Sequence, residues 1–145
     1  MIKKTVLDYS NKWTYCGNEV EVLPEGVVGF VYIITNTLDG RFYLGKKTGW
    51  FTKTRILKGK KKRSKVPSDW HQYYGSSEQL LQDIDKVGKE NFSREILHFC
   101  ISKTEMSYIE AKLQFQYDVL LKDNNYNAWI SCRIRKSQLK QMKVV

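Results

Sequence analysis

The sequence predicts an α+β domain: a small three-stranded antiparallel sheet flanked by helices, in the order β-β-α-α-β-α. Three observations predict it. Leu38-Asp39-Gly40-Arg41 is a hairpin signal between two apolar runs, since Asp-Gly tolerates positive φ at both central positions. Leu80, Leu81, Ile84 and Val87 recur at helical spacing and Gly88 supplies a stop. Phe92 to Cys100 alternates as a strand, expected to be the third of the hairpin's sheet.

Residues 1–25 are a mixed polar and aromatic extension ending in the turn Pro24-Glu25-Gly26; it either adds an edge strand or covers the core. Val27 to Asn36 and Arg41 to Lys46 form the hairpin. A two-residue loop at Asp39-Gly40 would pair Asn36 with Tyr43, Ile34 with Gly45 and Tyr32 with Lys47. Strand side chains alternate between faces, so Tyr32, Tyr43 and Lys47 project together, with open space beside them at Gly45. Two phenols and an ammonium around a gap read as a site.

Trp50 to Leu57 is expected to be a short helix buried through Ile56 and Leu57. Lys58 to Lys65 is a basic loop without apolar periodicity, and its cations suit phosphate contacts that strengthen binding without reading sequence. Ser76 with Gln79 forms a capping box for the next helix, and Ser102 with Glu105 one for the last. Ile109, Leu113, Tyr117, Leu120 and Leu121 make the last helix's apolar stripe, which runs out at Lys122-Asp123-Asn124-Asn125. The division expected is an extension over 1–25, a core over 26–130 and a basic tail over 131–145.

The 145 residues suit one domain. Against 15 Asp and Glu stand 25 Lys and Arg, for a formal charge of +10. That charge implies a polyanionic partner and says nothing about fold. Nucleic acid leads; an acidic membrane comes second, because no strongly apolar amphipathic segment accompanies the charge. Cys16, Cys100 and Cys132 are scattered, and with only His71 and His98 they supply no zinc-finger pattern. A reduced intracellular protein is expected, with no membrane span.

Phe30-Val31-Tyr32 and Tyr43-Leu44-Gly45 resemble the half-motifs of the GIY-YIG nucleases. The resemblance continues through Val87-Gly88-Lys89-Glu90-Asn91-Phe92, the helix Ser107 to Gln116 with a central Glu110, and the closing Tyr126-Asn127. It covers about residues 26 to 130. Trp70 to Ser77 and Glu110 to Gln114 are most similar to the free-standing, seg-type phage homing endonucleases.

The resemblance implies a Mg2+ (or Mn2+) dependent endonuclease acting on double-stranded DNA, in the cytoplasm of a prokaryotic or phage-infected cell. Restriction or repair nucleases, or a catalytically inactive nucleic-acid-binding module of the same fold, are the alternatives. Glu110 matches the metal ligand, and one carboxylate with waters and a phosphate oxygen suits Mg2+. Tyr32 matches the base or proton relay. A free phenol titrates at about pH 10, so neighbouring cations such as Lys46 and Lys47 would have to lower it. Tyr43 would position water or phosphate, and Asn127 would support the site by hydrogen bonding. An arginine on the first helix should grip the scissile phosphate. Arg55 fits that role, with Lys53 at the commoner spacing and Arg63 as a substitute. Lys46, Lys47, Lys60, Lys61, Lys62 and Arg63 are the remaining substrate-binding candidates.

Overall fold

A computed structural model describes residues 12–140 and 142. The described residues form seven strands: β1 Trp13–Tyr15, β2 Asn18–Glu19, β3 Gly29–Asn36, β4 Phe42–Thr48, β5 Trp50–Leu57, β6 Lys60–Pro67 and β7 Phe92–Cys100. Among the described residues the two α-helices are α1 Glu78–Val87 and α2 Lys103–Gln116. Five strands form one sheet in the order β2-β1-β7-β3-β4, while β5 and β6 pair separately. The expected antiparallel trio is present as β4, β3 and β7. The N-terminal segment extends it: β1 lies parallel to β7, Trp13 beside Arg94, and β2 pairs antiparallel with β1.

The β3–β4 register differs from expectation by two residues. Tyr32 faces Gly45 and Ile34 faces Tyr43. The turn holds four residues because Asn36 and Asp39 intervene: Asn36 Oδ1 accepts from Leu38 N at 3.0 Å, and Asp39 Oδ1 from Arg41 N at 2.9 Å. Side chains of this kind imitate backbone turns. A slip of two preserves parity, so Tyr32, Tyr43 and Lys47 still share a face.

Trp50 to Leu57 is a strand, not a helix, and the basic loop is its partner strand. Lys58 and Gly59 form the tight turn with φ of 52° and 76°, the left-handed pair that a two-residue hairpin loop needs. Trp50, Phe51, Thr52, Thr54 and Ile56 are aromatic or β-branched, which favours the extended chain. Ile56 and Leu57, expected to be buried, are exposed.

The sheet carries a core on each face. Trp13, Phe30, Tyr32, Ile34, Phe92 and Ile96 pack with Trp70, Tyr74, Tyr126 and the α1 residues Leu80 and Ile84. On the opposite face Val31 and Cys100 pack against Met106, Ile109 and Leu113 of α2. The α1 cap is Ser77 rather than Ser76: its Oγ accepts from Leu80 N at 3.3 Å, and the helix ends at Gly88 as expected. Ser102 caps α2 as expected, accepting from Glu105 N at 3.0 Å. The α2 stripe stops early, because Asp118 turns into the left-handed region at φ 52°. Val119 is buried, while Tyr117, Leu120 and Leu121 face solvent. No helix among the described residues is long and apolar enough to cross a membrane.

Candidate active site

β4 is the sheet's edge strand, and its exposed backbone is where the site assembles. The chain after α2 returns to cover that edge: Phe42 N donates to Asn124 O at 3.3 Å, and Tyr126 N donates to Phe42 O at 2.7 Å. Two residues on, Leu44 is held by side chains instead. Asn127 Oδ1 accepts from Leu44 N at 3.0 Å, and its Nδ2 donates to Leu44 O at 2.8 Å. Gln114 Nε2 donates to the same carbonyl at 3.1 Å. An unpaired sheet edge is thereby closed without a further strand.

Beside this edge lies a cavity of about 540 Å3 lined by Tyr43, Ser76, Glu110, Gln114, Asn127 and Trp129 among others. Tyr43 Oη and Ser76 Oγ lie 3.1 Å apart. Glu110 is half-buried, and burial raises its carboxyl above the ordinary value, opposed by the Lys46 ammonium. Lys46 Nζ itself donates to Ser107 Oγ at 2.7 Å, one turn before Glu110 on α2. Gln114, only 5% exposed, leaves its Oε1 without a partner. It lies one turn after Glu110, so an orphaned amide oxygen and a carboxylate occupy one side of a helix.

Tyr32 is buried under Tyr43, their rings 6.2 Å apart, and it does not line the cavity. Trp13, Phe30 and Tyr73 surround it edge-on. The expected gap at Gly45 is filled by this ring: a Cβ there would meet Tyr32 Oη, and Tyr32 Cζ at 2.6 Å. Burial drives the Tyr32 phenol well above its ordinary value, reinforced by Tyr73, Tyr43 and Glu110. Tyr43 is raised by burial too, with Ser76 acting against it. Neither phenol is depressed by a lysine. Lys47 is occupied elsewhere, bonded to Asp69 at 2.7 Å and set over the Tyr73 ring at 4.1 Å.

Glu110, Tyr43 and Asn127 thus line one cavity, with Tyr32 buried against Tyr43. Arg55 does not join them. The helix expected to carry it is strand β5, where Arg55 faces Lys62 across the separate hairpin. Lys53, Lys60, Lys61 and Arg63 lie on that hairpin as well. No Arg or Lys side chain lines the cavity among the described residues. Arg41 is engaged by Asp39 at 2.9 Å and Asp83 at 2.6 Å.

Sequence reasoning overlooked Gln114 and Ser76. Gln114 carried a signal, being a polar residue one turn on from Glu110, on the same side of the helix. The donor set fits a hard divalent cation: carboxylate and amide oxygens beside polar, hydratable space. A second cluster, His98, Cys100 and Glu105, lies within 4.8 Å of one another. It suits a metal poorly: burial pushes the Cys100 thiol up to about 12, and Glu105 Oε1 already accepts from Ile101 N at 2.7 Å.

Residues 13–132 match the family model described as "Putative endonuclease segE, GIY-YIG domain". No curated protein and no solved structure matches the chain. The family match spans the sheet, both helices and every residue of the β4-edge cavity, so the chain belongs to the GIY-YIG endonuclease family, in its SegE group.

Proposed function

We propose that the protein is a metal-dependent endonuclease that hydrolyses phosphodiester bonds in duplex DNA, of the homing type. The observation that carries this reading is the half-buried Glu110 carboxylate beside Tyr43, Asn127 and the orphaned Gln114 oxygen. Glu110 would hold Mg2+ or Mn2+, with the orphaned Gln114 Oε1 buried one helical turn away, and waters and a phosphate oxygen would complete the shell. A bound divalent ion supplies charge neutralisation for the phosphate and the leaving 3′ oxygen. Tyr43 and Ser76 offer hydroxyls that orient water or phosphate. Asn127 fixes the strand edge from which Tyr43 projects.

Tyr32 acts in its neutral form, because burial opposes the phenolate. It hands on a proton through hydrogen bonding instead of removing one outright. Lys46, whose ammonium acts on Glu110, is the cation proposed for the phosphate, and Arg55 serves binding at a distance from the bond cleaved. The prokaryotic or phage-infected cytoplasm is the proposed compartment.

One observation favours a second reading, an inactive nucleic-acid-binding domain: among the described residues no arginine reaches the cavity. Plasmid incubation with Mg2+ or EDTA, comparing wild type with Glu110→Gln, separates the two. Metal-dependent nicking or linearisation abolished by the substitution is expected. Binding without cleavage under Mg2+ and Mn2+ refutes the nuclease reading.

A further inference from the structure

We infer that the β5–β6 hairpin is a DNA-docking ribbon that enters the major groove of the duplex, rather than a phosphate-contacting loop on the outside. This rests on DNA being the substrate, as proposed above.

Residues 50–67 contain eight Lys and Arg and no Asp or Glu. They hold most of the chain's net charge of +10. None of these cations has an ion-pair partner among the described residues. Arg55 and Lys62 stand directly opposite one another, a like-charge pair that weakens a ladder. Every residue of the hairpin except Val66 is exposed, so neither face is covered by a second layer. An isolated two-stranded ribbon is marginal in water, and a self-repelling one more so. A polyanion removes the repulsion and supplies the missing layer.

The register assigns the faces. Lys61, Arg63 and Lys65 share one with Thr52 and Thr54, while Lys53, Arg55, Lys60 and Lys62 share the other with Ser64. A patch lying on the outside of a duplex needs cations on one face only. Cations on both faces suit an element flanked by phosphates on two sides, as in a groove. Two backbones about 4.8 Å apart, broadened by the side chains that flank them, fit the major groove, about 12 Å wide, better than the minor groove at about 6 Å. Eight residues per strand reach roughly 25 Å from the base. Threonine, serine and arginine along both faces offer donors for base edges.

The base is closed independently of the ribbon. Ser68 N donates to Gly49 O at 2.9 Å, Gly49 N to Val28 O at 2.8 Å, and Ser68 Oγ to Thr48 O at 2.7 Å. Residues 50–67 are therefore excisable with a short glycine bridge.

The test measures duplex binding in EDTA, so that cleavage does not enter, for the full chain, the excised variant and the double variant Arg55→Gln/Lys62→Gln. Circular dichroism checks folding, and the double variant removes like charges without shortening the chain. Excision should weaken binding on the order of 100-fold. It should also flatten the slope of log K against log salt by about 4, at about 0.9 per phosphate if half the cations make contact. The double variant should flatten it by about 2. Methylation at guanine N7, in the major groove, should interfere with the full chain and not with the excised one. Unchanged affinity and slope on excision, interference confined to adenine N3 in the minor groove, or equal affinity for single strands overturns the inference. Ribbon-dependent binding without cleavage defeats the nuclease reading alone; cleavage with a ribbon-independent footprint defeats the ribbon alone.

Discussion

Gly45→Ala tests whether Tyr32 and Tyr43 form one rigid unit. The added methyl would sit 2.6 Å from Tyr32 Cζ and 3.0 Å from Tyr43 Cε2, closer still to Tyr32 Oη. Ordinary carbon–carbon contact is about 3.5–4.0 Å, so the phenol must retreat by about 1 Å. It has nowhere to go, with Trp13 at 5.3 Å between ring centroids and Tyr73 at 6.0 Å. Overpacking of this kind costs about 1–3 kcal/mol, or about 2–10 °C in Tm for a domain of this size. A displacement of about 1 Å in the site should cost on the order of 100-fold in cleavage. Thermal denaturation and single-turnover plasmid cleavage measure the two effects. Adding Tyr32→Phe deletes the atom in closest conflict and should recover part of the Tm without recovering cleavage. A Gly45→Ala protein with wild-type Tm and rate would refute the reasoning.

Glu110→Gln should melt higher than wild type at neutral pH, because a desolvated charge is removed. Burial raises the folded carboxyl, so its contribution to stability is present below the ordinary value of 4.5 and lost as pH rises through the raised one. The gap in Tm should therefore close on acidification; a gap that widens contradicts this. Asn127→Ala strips both side-chain bonds from Leu44 and should cost about 1–3 kcal/mol by denaturant titration, with Asn127→Asp intermediate. Tyr32→Phe should fold with a loss under about 1 kcal/mol yet cleave on the order of 100-fold more slowly. Arg55→Ala should weaken DNA binding most at low salt, with the gap to wild type narrowing as salt rises, while leaving the saturated cleavage rate within about tenfold, as befits a cation outside the cavity.

What was legible in the sequence was local. Phe92 to Cys100 alternates because one side of β7 is buried, and Ser102 announces α2 because a cap is a short-range hydrogen bond. The β5–β6 hairpin was misread for the opposite reason: with both faces in solvent nothing enforces alternation, and its turn uses Lys-Gly instead of Asn-Gly or Asp-Gly. The β3–β4 turn carried the strongest hairpin signal and still misled on register, since Asn36 and Asp39 captured backbone amides that a two-residue loop would leave free. Glu110, Tyr43 and Asn127 were found through motif resemblance. Their common anchor, the Leu44 peptide, could not be, because side chains 70 and 83 positions away supply its partners.

That anchor explains why the cavity sits at the edge of the sheet and not over its middle. A central strand spends both rows of backbone groups on its neighbours, whereas β4 has one row free. Closing the row with Asn127 and Gln114 instead of a sixth strand leaves room for a cavity and fixes two polar side chains at its wall. The same closure sets Gln114 at a fixed height on α2, and with it Glu110 one turn earlier. Tyr43, bonded through β4 to Tyr32's strand, then faces that carboxylate with no freedom to drift. Buried Tyr32 packs beneath Tyr43 as the floor of this wall, and burial holds its phenol neutral. The proposed relay therefore needs a hydroxyl between the buried phenol and the cavity, and Tyr43 with Ser76 places two hydroxyls at the cavity wall.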